Sequence, residues 1–366
     1  MGSYSADDVI FLLKNIGPYI KELGNEERER AVQGGKHYSE MLPVEYKPTR
    51  EYIDLFHKSL KETVYRLAEA TAIVSETIIK RRGKNLVLVS LARAGTPVGV
   101  LIKRYISRFY GINLPHYSIS IIRDRGIDKN AMIYILQRHS GCQVQFIDGW
   151  TGKGAITMEL LKSVRDLERQ FALEEDTICK DIAVLADPGY CANIFGTRDD
   201  FLIPSACLNS TVSGLMSRTV LRDDLVGPFD FHGAKYYREL LAEDLSNYYI
   251  DTVDRCFAGT HRKALAILQA NPETGIDNHP SWIGKNETQK IQMEYGISSI
   301  NYVKPGVGET TRVLLRRVPW KIIVKDIKNP DIKHILLLAE DRGVPVEEYP
   351  EINYSCYGLI NTMEDK

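Results

Sequence analysis

The most restrictive feature of this sequence is the segment VQFIDGWTGKGAIT at residues 144–157. A short apolar run ends in a carboxylate, Asp148, and a loop of glycine, threonine and lysine leads into a helix-forming stretch. Such a turn presents free backbone N–H groups and the positive end of a helix dipole to an anion. The segment therefore predicts a βα unit with a phosphate-binding loop, in which Asp148 can accept hydrogen bonds from sugar hydroxyls or join a metal site. An ordinary β-to-α turn is the alternative that this segment alone leaves open.

The spacing within this loop excludes two common nucleotide-binding motifs. A Walker A loop needs four residues between its first glycine and a Gly-Lys pair followed by Ser or Thr, and here Gly149 and Gly152 lie too close together. The dinucleotide motif G-x-G-x-x-G also fails on spacing. The loop is therefore typical of a phosphorylated ligand other than a nucleoside triphosphate or a dinucleotide.

Composition sets the limits for the whole chain. Its 366 residues are long enough for two domains, and a net charge of −1 with 44% hydrophobic residues is typical of a globular protein. The sequence contains neither an apolar run of membrane-spanning length nor the pattern of a signal peptide in residues 1–15. The six cysteines and eight histidines show no metal-binding spacing. We therefore expect a cytoplasmic protein with reduced cysteines and no membrane partner.

Apolar runs of strand length alternate with helical periodicity in the middle of the chain, after a long amphipathic helix predicted for residues 49–79. This alternation predicts an α/β domain with a parallel sheet covered by helices on both faces. A short helix ending at Ile16 is also expected near the start of the chain. The predicted strands are 86–90, 117–121, 144–147, 182–185 and 201–207, and the predicted helices that follow are 98–110, 130–139, 157–171 and 212–220.

The chain divides into two domains at a segment rich in Pro, Gly and Asn. We predict an N-terminal helical region at 1–83, a main α/β domain at 84–270, a linker at 271–286 and a smaller α/β domain at 287–366.

The turns after the predicted strands share a chemical character. A small-residue turn with Arg93 follows the first strand, a charged loop with Arg123 and Arg125 follows the second, and Asp187 ends the fourth. Because ligands bind at the carboxyl ends of strands in open α/β sheets, these residues should meet the loop at Asp148 in one site. Arginine can fork onto phosphate oxygens, and small residues let backbone amides approach them closely.

The order of these motifs resembles a type I phosphoribosyltransferase. That resemblance implies a site for phosphoribosyl pyrophosphate and Mg²⁺, transfer of the phosphoribosyl group to a small-molecule base, and release of pyrophosphate. It makes Asp148, Arg93, Arg123 and Arg125 the catalytic candidates and assigns Mg²⁺ to Asp148 and Asp187. One departure stands out, because Gly149 occupies the position of a usual second acid. The resemblance assigns the phosphate groups to Ala92, Ala94, Gly95, Thr96, Thr151, Gly152, Lys153, Gly154, Ala155 and Thr157.

More narrowly, the run from Thr197 to Leu215 resembles the bacterial StiP-like family of tellurite-resistance and stress gene clusters. That family name is associated with cysteine peptidases, which makes Cys191, Cys207 and His232 the candidates for a thiol–imidazole pair. Two alternatives to a transferase therefore stay open: a cysteine peptidase, and a regulator that binds phosphoribosyl pyrophosphate without turnover. The sequence leaves the acceptor and the oligomeric state open, with a homodimer as one option.

The C-terminal segment carries a local surplus of positive charge. Residues 301–334 contain eight basic residues, Arg317 among them, against three acids, and nucleic acid is the first partner that such a surplus indicates. The segment resembles the pelota-type, kink-turn RNA-binding fold, with Gly308 in place of the usual asparagine. A protein-docking module without RNA is the alternative. The resemblance assigns RNA contact to Gly306, Gly308, Glu309, Arg312 and Arg316.

Overall fold

The computed structural model describes residues 1–173, 178–270, 280–316 and 318–360, and the bounds below refer to these. The strands are β1 (Ile10–Phe11), β2 (Lys14–Asn15), β3 (Glu22–Leu23), β4 (Leu42–Pro43), β5 (Leu86–Ala92), β6 (His116–Ile122), β7 (Gly126–Ile127), β8 (Gln143–Trp150), β9 (Ile182–Ala186), β10 (Ile194–Thr197), β11 (Gly233–Ala234), β12 (Val303–Pro305), β13 (Lys321–Val324), β14 (Val346–Glu348) and β15 (Cys356–Leu359). The helices are α1 (Asn25–Gln33), α2 (Arg50–Arg82), α3 (Gly95–Tyr110), α4 (Lys129–Arg138), α5 (Ala155–Gln170), α6 (Ser246–Asp254), α7 (Phe257–Ala270), α8 (Ile283–Glu294), α9 (Gly306–Arg316) and α10 (Lys333–Asp341).

The first domain is built on a mostly parallel sheet, which confirms the α/β prediction. Its strand order is β1-β6-β5-β8-β9-β10, and β7 is added antiparallel to β6. Alternate residues of β5 enter two different cores: Leu86 and Leu88 pack with α2 and α3, whereas Val87 and Val89 pack with α4 and α5. Burial on both faces explains why this strand is an unbroken apolar run.

The long helix predicted for residues 49–79 is present as α2, which extends to Arg82. It ends at Gly83, whose φ of +71° is a conformation that glycine adopts at little cost. No helix in the described ranges is long and apolar enough to cross a membrane.

Three predicted elements are wrong, each because tertiary contacts or local backbone geometry override the pattern. In place of a helix ending at Ile16, β1 pairs with β6 and β2 pairs with β11. The predicted strand 201–207 is irregular around a 3₁₀ turn at Pro204–Ala206. The predicted helix 212–220 is broken by consecutive left-handed residues, Gly214 and Leu215, with φ of +75° and +58°.

The second domain has a four-stranded sheet in the order β12-β15-β13-β14, with α9 and α10 packed on it. It lies against the carboxyl edge of the first sheet and against α2. Two guanidinium bonds from Arg66 to Asp331, at 3.0 and 3.1 Å, join α2 to this domain. The hydroxyl of Tyr52 also donates to the carbonyl of Leu315. Residues 271–279 of the predicted linker and 361–366 of the predicted second domain lie outside the described residues.

Candidate active site at the domain junction

The glycine loop after β8 is held by the neighbouring strand end. The Thr151 backbone N–H donates to the Ala186 carbonyl at 3.0 Å, and the Thr151 hydroxyl donates to the Asp187 carboxylate. Gly154 precedes α5 with φ of +77°. A Cβ there would lie 2.7 Å from the Trp282 ring and 2.8 Å from Cys191 Sγ, so only glycine fits. The glycine loop of the first domain is thus close both to the Cys191 thiol and to Trp282.

A cavity of about 240 Å³ lies between this loop and the start of α9. Two of its cations, Arg123 and Lys153, come from the first domain, and the other two, Lys304 and Arg312, from the second. Its acids are Asp148 and Glu309, so positive charge is in surplus and favours an anionic occupant. The cavity also contains these predicted phosphate-site residues: Ala94, Thr151, Gly152, Gly154, Ala155 and Thr157.

Burial shifts the pKa of two titratable groups in the cavity. Removal from water raises the pKa of Asp148 to about 7, against the opposing effects of the Gly149 N–H and Arg312. Burial lowers the pKa of Lys153 to about 8, and the nearby charges of Lys304 and Arg123 add to this effect. Lys153 Nζ donates to the Ile300 carbonyl at 2.6 Å, so it joins the two domains as well as lining the cavity.

The substitution Asp148→Asn should stabilise the protein at alkaline pH. The folded-state pKa of about 7 lies above the ordinary value of 3.8, so folding disfavours the ionised form and stability falls as pH rises from about 4 to 7. A neutral asparagine side chain would carry no such penalty. We expect a gain of about 1–3 kcal/mol in the free energy of unfolding at pH 8 that shrinks as pH falls toward 5. Urea denaturation of both proteins across this range measures it, and a gain independent of pH would contradict it.

The carboxylate of Asp187, the second predicted magnesium ligand, is bound by other groups of the protein. It is fully buried, ion-paired with Arg198, and accepts the backbone N–H groups of Cys191 at 2.8 Å and Ala192 at 3.0 Å. No group of three potential metal ligands occurs among the residues with described positions. These contacts of Asp187 therefore do not fit the prediction that Asp148 and Asp187 bind one magnesium ion together. Asp148 is the remaining predicted magnesium ligand.

Two of the predicted catalytic arginines and three of the predicted phosphate-site residues are not among those that line the cavity. Arg93 donates to the Met216 carbonyl at 3.2 Å and pairs with Glu45 at 3.6 Å, and Arg125 pairs with Glu40. The turn at Ala92, Gly95 and Thr96 packs against neighbouring strands instead, as the 2.8 Å bond between the Thr96 and Ser118 hydroxyls illustrates.

The residues assigned to RNA face the first domain. Gly306 and Gly308 are buried, and the Arg312 guanidinium donates to the Ala206 carbonyl at 3.2 Å. Arg316 donates to the Asn209 amide oxygen at 2.6 Å. Glu309 pairs with Arg312 at 3.3 Å. Arg317 lies outside the described residues.

Among the six cysteines, Cys191 lies at the carboxyl edge of the parallel sheet, in the loop between β9 and β10. Its Sγ is buried, 3.1 Å from the Gly189 carbonyl and 3.6 Å from that of Gly152. Burial, then the charge of Asp187, raises the pKa of this thiol to about 12. The thiol is therefore protonated and covered in this arrangement.

The other residues predicted for a thiol–imidazole pair, His232 and Cys207, do not hydrogen-bond Cys191. His232 is buried and bonds Ser120 Oγ at 2.9 Å, while burial raises the pKa of the Cys207 thiol to about 12. No histidine ring hydrogen-bonds a cysteine thiol among the described residues, and His279 lies outside them.

Sequence reasoning missed three residues that shape this site: Trp282, Tyr354 and Asp200. Trp282 lies in a stretch interpreted as linker, where an aromatic residue among polar neighbours was the available signal. Asp200 lies within residues 197–215, which carry the resemblance to the StiP-like family, but no local pattern distinguishes it from Asp199.

Comparisons with known proteins match both parts of the chain. Residues 2–254 match the family model described as "Tellurite-like stress resistance cysteine protease StiP", and residues 282–362 match "PELOTA RNA binding domain". The chain is 33% identical over 355 residues to "Cysteine protease StiP" of Acinetobacter baylyi, covering 94% of this chain and 90% of that protein.

Solved structures give only weak similarities. A NifS-like protein from Rickettsia africae is 11% identical with a TM-score of 0.24, covering 98% of this chain and 95% of that one. The histidinol-phosphate aminotransferase of Clostridium acetobutylicum is 12% identical with a TM-score of 0.21, covering 97% and 96% of the two chains. TM-scores this low support no conclusion about the fold.

The comparisons confirm the predicted StiP-like and pelota resemblances and overturn the predicted activity. The assignment as a phosphoribosyltransferase, a glycosyltransferase, is wrong, because the matching family and the curated relative are both named cysteine proteases. The peptidase alternative agrees with these names. The match to a pelota domain supports RNA as a partner.

Proposed function

Since the chain belongs to the StiP family of tellurite-like stress resistance cysteine proteases and carries a pelota RNA-binding domain, we propose that it is an RNA-binding cysteine peptidase with Cys191 as nucleophile. The observation that carries the choice of residue is the position of this thiol at the carboxyl edge of the parallel sheet, beside the glycine loop and the cavity. Ligands in open α/β folds bind at this edge.

The other cysteines are less suitable. Cys142 precedes β8 and Cys179 precedes β9, so both lie at the opposite edge of the sheet. Cys179 Sγ also accepts a bond from Arg82 at 2.7 Å. Cys256 lies between α6 and α7, and Cys356 begins β15 in the second domain. Cys207 follows the 3₁₀ turn at Pro204–Ala206 and packs in an apolar core. Position therefore favours Cys191.

The chemistry requires the Cys191 thiol to lose its proton to water and the thiolate to attack a peptide carbonyl. The C–N bond then breaks, the amine takes up a proton from water and leaves, and a thioester remains. Water hydrolyses this thioester to a carboxylic acid and restores the thiol. Burial is the largest cause of the raised thiol pKa, so exposure to water would return it toward its ordinary value, at which a few per cent is thiolate near neutral pH. Asp187 is a positioning residue here, because its carboxylate holds the backbone N–H groups of Cys191 and Ala192.

A cleavage assay with chemical inhibitors tests the reaction class. The full chain is incubated with fluorescein-labelled casein, with synthetic kink-turn RNA present, after treatment with iodoacetamide, EDTA or buffer. We expect alkylation to remove cleavage and EDTA to leave it unchanged. Cleavage that survives alkylation of every cysteine would contradict a thiol mechanism.

A second function, binding of a phosphorylated small molecule, is favoured by the excess of cations in the cavity. Four basic side chains face two acids there, with the glycine loop at one wall. We propose a phosphate-bearing ligand, for which phosphoribosyl pyrophosphate is the probe, with Asp148 and the ligand's own oxygens holding magnesium. As part of this proposal, we expect the first domain to have the topology of a type I phosphoribosyltransferase but not to catalyse the transfer.

The division at 1–83, 84–270, 271–286 and 287–366, the cytoplasmic location and the homodimer stay predictions.

Replacing Lys153 by methionine should weaken phosphoribosyl pyrophosphate binding by at least about tenfold, because one charge-assisted contact is lost while side-chain length is kept. Isothermal titration calorimetry measures this. The exposed Lys162 of α5 supplies the control, and Lys162→Met should bind as the wild type does. Equal affinities for the two variants would place the ligand elsewhere.

RNA binding should weaken steeply with salt, because contacts to phosphate release counterions. Exposed lysines of the second domain, Lys325, Lys328 and Lys333, are available for such contacts. We expect a negative linear slope of log affinity against log salt concentration in filter binding, shallower by about one per lysine replaced by methionine. A flat salt response would contradict phosphate contacts.

A further inference from the structure

The surface of the second domain that rests on the first domain includes three of the residues assigned to RNA, Gly306, Arg312 and Arg316. We call this surface the docking face and define it by Gly306, Val307, Arg312, Arg316 and Ser355. Its polar groups are satisfied by first-domain partners, and they are backbone N–H and guanidinium groups, which are also the groups that bind nucleic-acid phosphates.

Asp200 of the first domain is the centre of this contact. Its two carboxylate oxygens accept the backbone N–H groups of Val307 at 2.9 Å and Ser355 at 2.8 Å. The Ser355 hydroxyl donates to the Asp200 carbonyl at 3.0 Å. The turn is tight, since a Cβ on Gly306 would lie 3.0 Å from Asp200 Oδ1. A single carboxylate therefore occupies the start of α9, where a phosphate of RNA would find the same backbone donors.

Two arginines of the docking face are engaged in the same way. Arg312 donates to the Ala206 carbonyl and Arg316 to the Asn209 amide oxygen. Both partners belong to the irregular segment that follows β10 in the first domain. RNA phosphates that bind these guanidinium groups would have to displace the first domain.

The same arrangement covers Cys191. The Trp282 and Gly284 backbone N–H groups donate to the Tyr190 and Gly189 carbonyls at 3.1 and 3.0 Å. The Tyr354 hydroxyl donates to the Gly152 carbonyl at 2.9 Å. Residues of the segment that matches the pelota domain thus hold both backbone segments next to the thiol. The Trp282 ring and Cys191 Sγ lie 2.7 and 2.8 Å from the point that a Cβ on Gly154 would occupy.

We propose that RNA and the first domain compete for the docking face, so that RNA binding opens the junction and uncovers Cys191. The competition stands on the contacts above, and only its consequence for cleavage rests on the proposed function. Linkage makes the coupling reciprocal: a change that weakens docking must strengthen RNA binding by the same factor, up to the point at which the junction is fully open.

Thiol labelling measures the opening directly. The full chain is treated with iodoacetamide alone, with a synthetic kink-turn RNA hairpin, or with a DNA hairpin of the same length, and alkylation of each cysteine is followed by mass spectrometry. We expect RNA to accelerate alkylation of Cys191 by at least about tenfold, while the half-exposed Cys142, remote from the junction, keeps its rate. The DNA hairpin should leave both rates unchanged.

Asp200→Ala tests the coupling in the absence of RNA. We expect this variant to label faster at Cys191 and to bind the RNA hairpin about tenfold more tightly. Its matched control is Asp199→Ala, because Asp199 is exposed and contacts Arg66 of its own domain, and its loss leaves the two bonds from Arg66 to Asp331 of the second domain in place. Both variants should melt cooperatively, which separates opening from unfolding.

The outcomes distinguish this inference from the proposed function. RNA that binds while Cys191 stays protected would overturn the competition, as would equal RNA affinities for Asp200→Ala and Asp199→Ala. Faster labelling of Cys191 without casein cleavage would uphold the competition and reject the peptidase.

Discussion

Replacing Cys191 by alanine is expected to reduce kcat/KM for peptide cleavage by at least about 10³-fold, because the substitution removes the sulfur that forms the thioester. The side chain is small and buried, and its loss leaves the Asp187 contacts to the backbone intact. Cleavage of a fluorogenic peptide by the full chain with kink-turn RNA measures the effect. RNA affinity and melting temperature should stay close to those of the wild type.

Cys142→Ala is the matched control, since this thiol is half-exposed and lies at the opposite edge of the sheet. We expect it to cleave as the wild type does. A Cys191→Ala protein that keeps its activity, or a Cys142→Ala protein that loses it, would contradict the assignment of the nucleophile.

Gly95→Ala should destabilise the protein by about 3 kcal/mol or more. A Cβ at Gly95 would lie far inside van der Waals contact with the carbonyl oxygen of Ile147 and 3.0 Å from Asp148 Cα. Both neighbours are backbone atoms of a central strand, so neither can move aside without disturbing the sheet. Helix α3 must therefore shift away from β8.

Urea denaturation measures this loss, and Gly259→Ala supplies the comparison. Gly259 lies within α7, and a Cβ there would meet nothing within 4 Å, so alanine should be neutral or stabilise by up to about 1 kcal/mol. Equal stabilities of the two variants would contradict the close approach of α3 to β8.

The central strands and their helices could be predicted from the sequence because burial on both faces leaves unbroken apolar runs. Residues 86–92 and 182–186 are such runs, and each falls in a strand of the sheet. The short strands near Ile10 and Lys14 could not be predicted, because they form only by pairing with distant β6 and β11. The helix predicted for residues 212–220 is wrong for a local reason. Leu215 has a left-handed backbone, and in a non-glycine residue no sequence signal indicates this conformation.

The candidate site was predictable in its parts but not in its assembly. The sequence indicates an anion-binding character for Lys153 and for Arg312, yet no local pattern shows that the two line one cavity. The covering of Cys191 by Trp282 was equally hidden, because the contact joins two domains across a segment with the composition of a linker.

The activity illustrates why a loop does not determine a reaction. A glycine loop after a strand followed by a helix favours an anion on physical grounds, and the cavity beside Lys153 has the matching charge. Which bond is broken depends on the reactive groups around that loop, and the resemblance to a transferase supplied an expectation that the family comparison overturned.

Covalent labelling by a peptide that carries an electrophilic ketone tests whether Cys191 is the nucleophile and whether RNA uncovers it. The full chain is incubated with this probe, with and without kink-turn RNA, and the modified residue is identified by mass spectrometry. We expect an adduct on Cys191 that forms faster when RNA is present. An adduct on a different cysteine, or labelling of Cys191 that RNA does not change, would contradict it.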